Sequence, residues 1–392
     1  MIKNNSNTPV LQWGLESLST PTNKMGVTVS APRMDTVDWD LQTPFARENP
    51  VPYMHMVKTS SGVKPVQCRL PADNEIAVVD WVNFTIGIEN LGSIHHGNGL
   101  VTSKYTDEDP CVTDEHRWLS AIEEFDSVLE DIFGFCTTAR NASGRNFYKQ
   151  SYVLGQDMGL VCIGGQRNTI LVMLSGKGCA FAKEGWEKRL YNYLNLAQRA
   201  KLTRIDLAHD DFEGKRINVD WGNAQDDIGG FQCGNRAPNI EYKGNWKRPN
   251  GRGRTLNIGS RESGKYLRLY EKGRAEGDPE DNWQRAEVEF KAVDRILPFD
   301  MLLAPSEYFI AAYPCFQELA EHLQPARIET LKKNASISLN AAISTMKHQY
   351  GKYINLFKQI FEPEELINLI SHSDSCAFPK RMDAAVLTAM RM

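Results

Sequence analysis

Three segments of this 392-residue sequence place charged side chains and tyrosines on one face of an alternating pattern, with mostly apolar residues between them. The residues on this face are Arg204, Asp206 and Asp210 in the first segment, Tyr266, Arg268, Tyr270 and Lys272 in the second, and Arg285, Glu287, Glu289 and Lys291 in the third. Since successive side chains of a strand point to opposite faces, each segment predicts a strand with one apolar face and one densely charged face.

The chemistry of these faces depends on whether neighbouring strands bring them together. A combined face would offer carboxylate oxygens for a hard divalent cation, Mg²⁺ or Mn²⁺, arginines whose geometry suits phosphate, and a tyrosine hydroxyl as nucleophile. These are the components of a phosphodiester transesterification site. The alternative interpretation is the solvent-facing alternation that is common in antiparallel sheets. Composition weighs against it, because ordinary solvent faces also carry Thr, Ser and Gln.

Basic residues are concentrated between residues 241 and 275, which contain ten basic and three acidic residues, although the whole chain has a net charge of −4. Such a stretch favours contact with a polyanion; a solvated loop and hairpin is the alternative. It includes a predicted hairpin, 255–261 and 265–271, with a short turn that contains Gly264. Gly259 would face the charged side, where its missing side chain leaves room for a sugar-phosphate backbone.

The order of predicted elements favours an α+β fold. That order is a strand at 76–86, a helix that ends at Gly134, a β-rich stretch at 148–174, a helix at 183–199, strands between 203 and 293, and helices from about 298. Blocks without regular βαβ alternation predict a mostly antiparallel curved sheet with amphipathic helices packed on one face, plus a helical C-terminal region. The predicted domains are an N-terminal arm or extension (1–74), a catalytic domain (75–297) and a helical C-terminal domain (298–392).

Composition and motifs exclude several classes of protein. No apolar run approaches the ~18 residues of a membrane span, and residues 1–21 lack the apolar core of a signal peptide, so we expect a cytoplasmic protein without membrane association. Eight scattered cysteines without a C-x-x-C pair predict reduced thiols. A Walker A motif, a G-x-G-x-x-G motif and a His-hydrophobic-His pair are all absent from the sequence. This disfavours ATP-driven, dinucleotide and two-histidine metal chemistry.

Four motifs in this order resemble the replication initiation factor family. They are R-x-D-x-x-x-D-D (204–211), T-L-N-I-G-S-R-x-S (255–263), L-R-L-Y-E-K-G (267–273) and R-x-E-x-E-x-K (285–291). That family comprises rolling-circle replication initiators of filamentous phages and small staphylococcal-type plasmids, and the segment 164–179 is more similar to the phage branch. Weaker similarity extends over about residues 75–295.

The resemblance implies a metal-dependent DNA nickase. The family's nucleophilic tyrosine lies in a Y-x-K motif that maps to Tyr270; it attacks a phosphate at the origin, becomes linked to the 5′ end and frees a 3′-hydroxyl primer. The matching acids, as metal ligands or as the base, are Asp206, Asp210, Glu287 and Glu289. The matching basic residues, which would hold the phosphate or position the acids, are Arg204, Arg261, Lys272 and Lys291. DNA contacts are expected from Lys243, Lys247, Arg248, Arg252, Arg254, Lys265 and Arg268.

Two alternatives stay open at this point. The protein could be a non-catalytic DNA-binding regulator of replication or transcription on the same scaffold, or Tyr266, on the same strand face, could be the nucleophile. The resemblance also implies several partners in the cytoplasm of a bacterial host: the replication origin of the protein's own phage or plasmid, the host helicase and polymerase, and a second copy of the chain in a homodimer.

Overall fold

A ten-stranded antiparallel sheet is the central element of the computed structural model, which describes residues 49–95, 101–103, 105, 114–320, 322–328 and 339–373. The strands in these residues are β1 (Val51–Thr59), β2 (Gly62–Leu70), β3 (Val78–Gly87), β4 (Ser93–His95), β5 (Val101–Ser103), β6 (Thr137–Arg140), β7 (Gln150–Leu154), β8 (Gly159–Ile163), β9 (Thr169–Leu174), β10 (Lys201–Asp211), β11 (Ile240–Lys243), β12 (Thr255–Gly259), β13 (Lys265–Glu271) and β14 (Gln284–Lys291). The helices are α1 (Asp114–Phe133), α2 (Gly176–Phe181), α3 (Trp186–Leu196), α4 (Val219–Asp227), α5 (Lys272–Glu276), α6 (Pro305–Ile310), α7 (Leu339–Phe357) and α8 (Pro363–Ile370).

The sheet joins two groups of strands that are separate in the sequence. Its order is β11-β12-β13-β14-β10-β3-β9-β8-β7-β6, and each neighbouring pair is antiparallel. The central pair β10–β3 connects the C-terminal group to the N-terminal group, while β1–β2 and β4–β5 form separate two-stranded sheets. The predicted α+β class with a mostly antiparallel sheet is confirmed.

One face of the large sheet forms the main apolar core together with helices. Phe84 on β3 and Ile205 on β10 belong to the same buried cluster as Phe125 of α1, Trp186 of α3 and Phe309 of α6. Burial of apolar surface is the dominant favourable contribution to folding, so this face holds the strands in register. The opposite face of β10, β13 and β14 is left for polar side chains.

Helix α1 shows how the sequence pattern produces this packing. Its buried residues include Ile122, Phe125, Leu129 and Phe133, three or four positions apart, so they lie on one side of the helix. The acidic first turn, with Asp114 and Glu115, suits the positive end of the helix dipole.

The structure divides the chain at a different place from the predicted domains, into compact units of residues 1–330 and 331–392. Residues 51–70, predicted as part of an arm, form the β1–β2 hairpin, whose Val57 and Cys68 pack on Trp283. Residues of α6 and the 3₁₀ helix Pro314–Leu319 lie in the main core. Both segments therefore contribute buried surface to the first unit, which the predicted boundaries at 74/75 and 297/298 would cut.

The second unit contains α7 and α8 in its described part. Residues 1–48 of the predicted arm, and 321, 329–338 and 374–392 of the predicted C-terminal domain, lie outside the described residues. The functional roles assigned to the predicted domains stay predictions. Among the described residues, no helix combines the length and the hydropathy needed to cross a membrane.

Phe316→Ala should destabilise the whole first unit, because the Phe316 ring is fully buried and stacks on Phe309 with ring centroids 4.6 Å apart. Truncation of a buried Phe costs about 3–5 kcal/mol of unfolding free energy. Urea unfolding followed by tryptophan fluorescence should show the lower midpoint. Glu318→Ala, at an exposed position of the same 3₁₀ helix, is the matched control. An unchanged midpoint in Phe316→Ala would mean that this segment is not part of the core.

Candidate active site

The strand register brings the three predicted charged faces together. Arg268 lies opposite Glu287 across β13 and β14, and Asp206 lies opposite Glu289 across β10 and β14. Directly opposed residues of antiparallel strands project on the same side, so the polar positions form one continuous surface. We refer to it as the charged face, which consists of Arg204, Asp206, Asp210, Tyr266, Arg268, Tyr270, Arg285, Glu287, Glu289 and Lys291.

Arginines pair with the buried carboxylates at the centre of this face. Arg204 Nε donates to Asp206 Oδ1 at 2.8 Å, and Arg204 Nη2 lies 2.8 Å from Glu289 Oε2. Arg268 donates to Glu287. The three carboxylates are at most 5% exposed, and a buried carboxylate without a partner would be strongly destabilising. The arginines therefore make this concentration of acids compatible with folding.

Arg285 forms a separate cluster with Asp80 and Asp210. Its guanidinium donates twice to Asp210 at 2.7 Å and twice to Asp80 at 3.1 Å, and Trp283 Nε1 donates to Asp210 at 2.6 Å. Burial alone would lower the pKa of Arg285, but the two carboxylates raise it well above its ordinary value. Asp210 thus has different partners from Asp206, with which the sequence analysis grouped it.

The hydroxyl of Tyr270 lies beside Glu287 and donates to its Oε2 at 3.5 Å. Burial raises the pKa of Tyr270 above its ordinary value, and the cations of Arg285 and Arg268 offset this only in part. The hydroxyl is therefore protonated at neutral pH, and nucleophilic attack by its oxygen requires a proton acceptor.

Asp206 and Glu287 share one proton at neutral pH. Burial raises the pKa of Asp206 to about 8, against the lowering influence of Arg204. Burial would raise the pKa of Glu287 as well, but Arg268, Arg285 and the hydrogen bond from Asp206 hold it below its ordinary value. The proton therefore resides on Asp206, and Glu287 keeps its negative charge next to the tyrosine.

The acids of the charged face have the right chemistry for a divalent cation. Carboxylate oxygens such as those of Asp206, Glu287 and Glu289 are the hard donors that Mg²⁺ and Mn²⁺ prefer. In the part of the chain that the structure describes, no three His, Cys, Asp or Glu side chains are already arranged to hold a metal ion. The donors fit a cation at Asp206, because a cation could replace the proton on this carboxyl group and relieve its repulsion with the neighbouring carboxylates.

Arg204 and Lys291, two of the four predicted phosphate-holding residues, lie beside these acids. Lys291 Nζ is 2.8 Å from Glu289 Oε1 and donates to the carbonyl oxygen of Arg261 at 2.5 Å. The guanidinium of Arg204 lies over the ring of Trp81, 4.7 Å from its centroid. Both residues thus contact the acids, and whether they also hold the phosphate stays a prediction.

Arg261 and Lys272, the other two, have different neighbours. Arg261 lies in the turn between β12 and β13, with its guanidinium 5.7 Å from the ring centroid of Tyr266. Lys272 begins α5, where its ammonium lies 2.5 Å from Glu276 and 5.6 Å from the ring centroid of Trp283. No described contact joins either side chain to Tyr270.

The seven predicted DNA-binding residues separate into two groups. The exposed group consists of Lys243, Lys247, Arg248 and Arg252, which lie at the end of β11 and in the loop from β11 to β12. We refer to these four residues as the basic loop. The other three have internal partners: Arg254 pairs with Asp220 and Glu271, Lys265 donates to Cys233 Sγ and Ala312 O, and Arg268 pairs with Glu287. The first group is exposed to a polyanion, although Lys243 Nζ also lies 3.3 Å from Glu241 Oε2.

Asp80 and Trp81 of β3 adjoin the charged face, although the sequence analysis did not assign them to it. Trp81 lies opposite Asp206 across the β10–β3 pair, and Asp80 contacts Arg285. The sequence marks Asp80 only as an aspartate within the apolar run of residues 78–82. That run does not predict which strand pairs with β3 or which residue pairs with Asp80.

Asp206→Asn should raise the free energy of unfolding above that of the wild type, increasingly so from pH 4 to pH 8. The pKa of Asp206 is about 8 in the folded protein and ~3.9 in the unfolded chain. Between these values the folded protein keeps the proton that the unfolded chain loses. The wild type therefore loses stability as the pH rises through this range. Urea unfolding in chelator-containing buffer at several pH values measures the difference, and Asp227→Asn at an exposed position is the control. Parallel pH profiles for the wild type and Asp206→Asn would contradict the shared proton.

The chain is similar to a solved structure and to a protein family. It is similar to a solved structure described as "Structure of Rolling Circle Replication Initiator Protein from Geobacillus stearothermophilus", with 19% sequence identity, a TM-score of 0.40, and coverage of 64% of this chain and 92% of that chain. No match is found among curated proteins. Residues 200–370, which contain every residue of the charged face, match the family described as replication initiation factor. The matched segment contains all four motifs, so the resemblance that they predict is confirmed for residues 200–370.

Proposed function

We propose that this protein initiates rolling-circle replication by nicking one DNA strand at the replication origin. The observation that carries the proposal is the contact of the Tyr270 hydroxyl with Glu287 among the arginines of the charged face. The family match supports replication initiation as the general role. The protein would act in the cytoplasm of a bacterial host on the origin of its own phage or plasmid. The host helicase would then unwind the duplex, and the host polymerase would extend the 3′-hydroxyl at the nick.

The proposed reaction is a transesterification by Tyr270. Its oxygen attacks the phosphorus of a phosphodiester while its proton passes to Glu287. A bond forms between the tyrosine oxygen and the 5′-phosphate as the bond from phosphorus to the 3′-oxygen breaks, and the leaving oxygen takes up a proton to become the primer hydroxyl. Because one phosphodiester replaces another, the step needs no nucleoside triphosphate.

Arg204 and Arg268 are suited to hold the reacting phosphate. Their side chains are 21% and 32% exposed, whereas the carboxylates that they neutralise are buried. A guanidinium with some donors free toward solvent can hydrogen-bond a phosphate oxygen. Donors fixed in advance at that position stabilise the charge that develops on the phosphate during attack.

We assign the divalent cation, Mg²⁺ or Mn²⁺, to Asp206 and Glu289, which lie opposite each other across β10 and β14, because Glu287 is the proton acceptor of the proposed reaction. When bound, it would supply Lewis-acid stabilisation of the phosphate charge. The chain's own part is to hold these carboxyl groups in place through Arg204. The contacts of Asp210 favour a positioning role, and the homodimer stays a prediction.

Tyr270→Phe should abolish the covalent protein–DNA adduct but retain DNA binding, because only the nucleophilic oxygen is removed. The assay incubates the protein with Mg²⁺ or Mn²⁺ and supercoiled DNA of its own replicon, then denatures the sample and separates it on a gel. The wild type should yield nicked circles with protein on the 5′ end, and a chelator should prevent this. Glu287→Gln should lower the nicking rate by about 10²–10⁴-fold, as expected for loss of a proton acceptor.

Tyr266→Phe is the matched control, since Tyr266 lies on the same strand face four residues away. It should still nick, and peptide mapping of the wild-type adduct should identify Tyr270. An adduct that persists in Tyr270→Phe and maps to Tyr266 would reverse the assignment of the nucleophile. Tight binding without any nick would instead favour the non-catalytic regulator.

Replacing the four residues of the basic loop by Ala should weaken DNA binding at all sequences. Each lost phosphate contact reduces the slope of log K against log [salt] by about 0.9 for duplex DNA, so the slope should become shallower by up to about 4. Fluorescence anisotropy over a salt series measures the slope. Lys215→Ala, which removes a side chain that is 77% exposed, is the control. Equal slopes for the wild type and the loop variant would remove the basic loop from the DNA interface.

A further inference from the structure

Phe147 has two features that oppose folding. Its side chain is 93% exposed, and its backbone has a φ of 66°, in the left-handed region that bulky side chains rarely adopt. Asn146 before it has a φ of 53°. Residues held in this region cost free energy and are concentrated at functional sites. Neither the exposed ring nor the strained backbone is explained by the core of the protein.

The segment that carries Phe147 lies on the same side of the sheet as the charged face. It connects β6 to β7, and the amide nitrogen of the Asn146 side chain lies 3.1 Å from Met173 Sδ on β9. Met173 lies opposite Asn83 across β9 and β3, and Asn83 lies opposite Arg204 across β3 and β10. Since directly opposed residues share a face, this register connects Asn146 to Arg204 across one continuous surface.

Exposed basic residues lie close to Phe147 in the sequence and in the turn joined to it. Arg145 and Arg167 are exposed, and the described residues provide no ion pair to either, whereas the ammonium of Lys149 lies 5.8 Å from the ring centroid of Trp118 on α1. Gln166 Nε2 donates to the carbonyl oxygen of Phe147 at 3.2 Å, so the turn that carries Arg167 is attached to the Phe147 segment. An aromatic ring in water with basic residues beside it is the arrangement that binds unpaired nucleotides, by stacking and by phosphate contact.

We propose that Phe147 is a stacking platform for an unpaired base of the DNA strand that reaches the charged face, with Arg145 and Arg167 on the flanking phosphates. This inference rests on the proposed function for its substrate. A base within a duplex is already stacked on both sides, so the platform favours single-stranded over double-stranded DNA. From β9 to β14 the strand spacing amounts to ~14 Å, so one strand of DNA can contact the platform and the charged face together.

Phe147→Ala should weaken binding of a single-stranded oligonucleotide by about tenfold, the effect of removing one aromatic stacking partner. Fluorescence anisotropy with chelator present measures affinity without cleavage, and the salt dependence should not change because no phosphate contact is lost. Phe147→Trp should restore the affinity. Phe147→Gly should bind as weakly as Phe147→Ala without a lower thermal midpoint, because glycine adopts this φ freely.

Ile228→Ala is the matched control. Ile228 is 77% exposed and follows α4, whose Trp221 packs against the main core on the opposite side of the sheet. This variant should bind single-stranded DNA as the wild type does. The proposal is overturned if Phe147→Ala binds single-stranded DNA like the wild type, or if duplex binding falls equally.

The adduct assay separates this inference from the proposed function. Weak single-stranded binding by Phe147→Ala in a protein that forms no adduct would support the platform and reject the nickase. If the wild type forms the Tyr270 adduct and Phe147→Ala binds single-stranded DNA normally, the platform is rejected and the nickase is retained.

Discussion

The charged face depends on one constraint, which is the neutralisation of buried carboxylates. Five carboxyl groups meet four cations there: Asp80, Asp206, Asp210, Glu287 and Glu289 against Arg204, Arg268, Arg285 and Lys291. The negative charge in excess is removed by a proton on Asp206, whose pKa rises to about 8. The same excess makes the face receptive to further positive charge. A buried charge without a partner costs several kcal/mol. The arginines are therefore required for folding, whatever their role in a reaction.

Register decides which groups enter this network. A shift of one residue between β13 and β14 would turn Tyr270 into the core and Leu269 onto the charged face. Leu267 and Leu269 are fully buried, and exposing each side chain would cost about 1.5–3 kcal/mol. Apolar packing on one side of β13 therefore holds the tyrosine against Glu287 on the other. This couples the stability of the core directly to the geometry of the candidate site.

Strand alternation is a local property, so the sequence predicts which side chains share a face, but pairing between distant strands is not local. The prediction grouped Asp206 with Asp210; yet four strand residues span about 13 Å, and the register gives Asp210 to Arg285 instead. β3 and β10 are separated by more than 100 residues of chain, so the approach of Asp80 could not be predicted. The β1–β2 hairpin was missed because most of its residues are exposed and leave only a weak apolar pattern.

The basic stretch is continuous in sequence but not in space. The basic loop is exposed, whereas Arg254 and Lys265 are occupied by internal partners. Arg268 belongs to both environments, because it neutralises Glu287 and is still 32% exposed. It is also the cation that does most to lower the pKa of Glu287. Any anion that competed with Glu287 for Arg268 would therefore raise the pKa of Glu287, so the exposure of Arg268 links the charge of the buried acid to what binds at the surface.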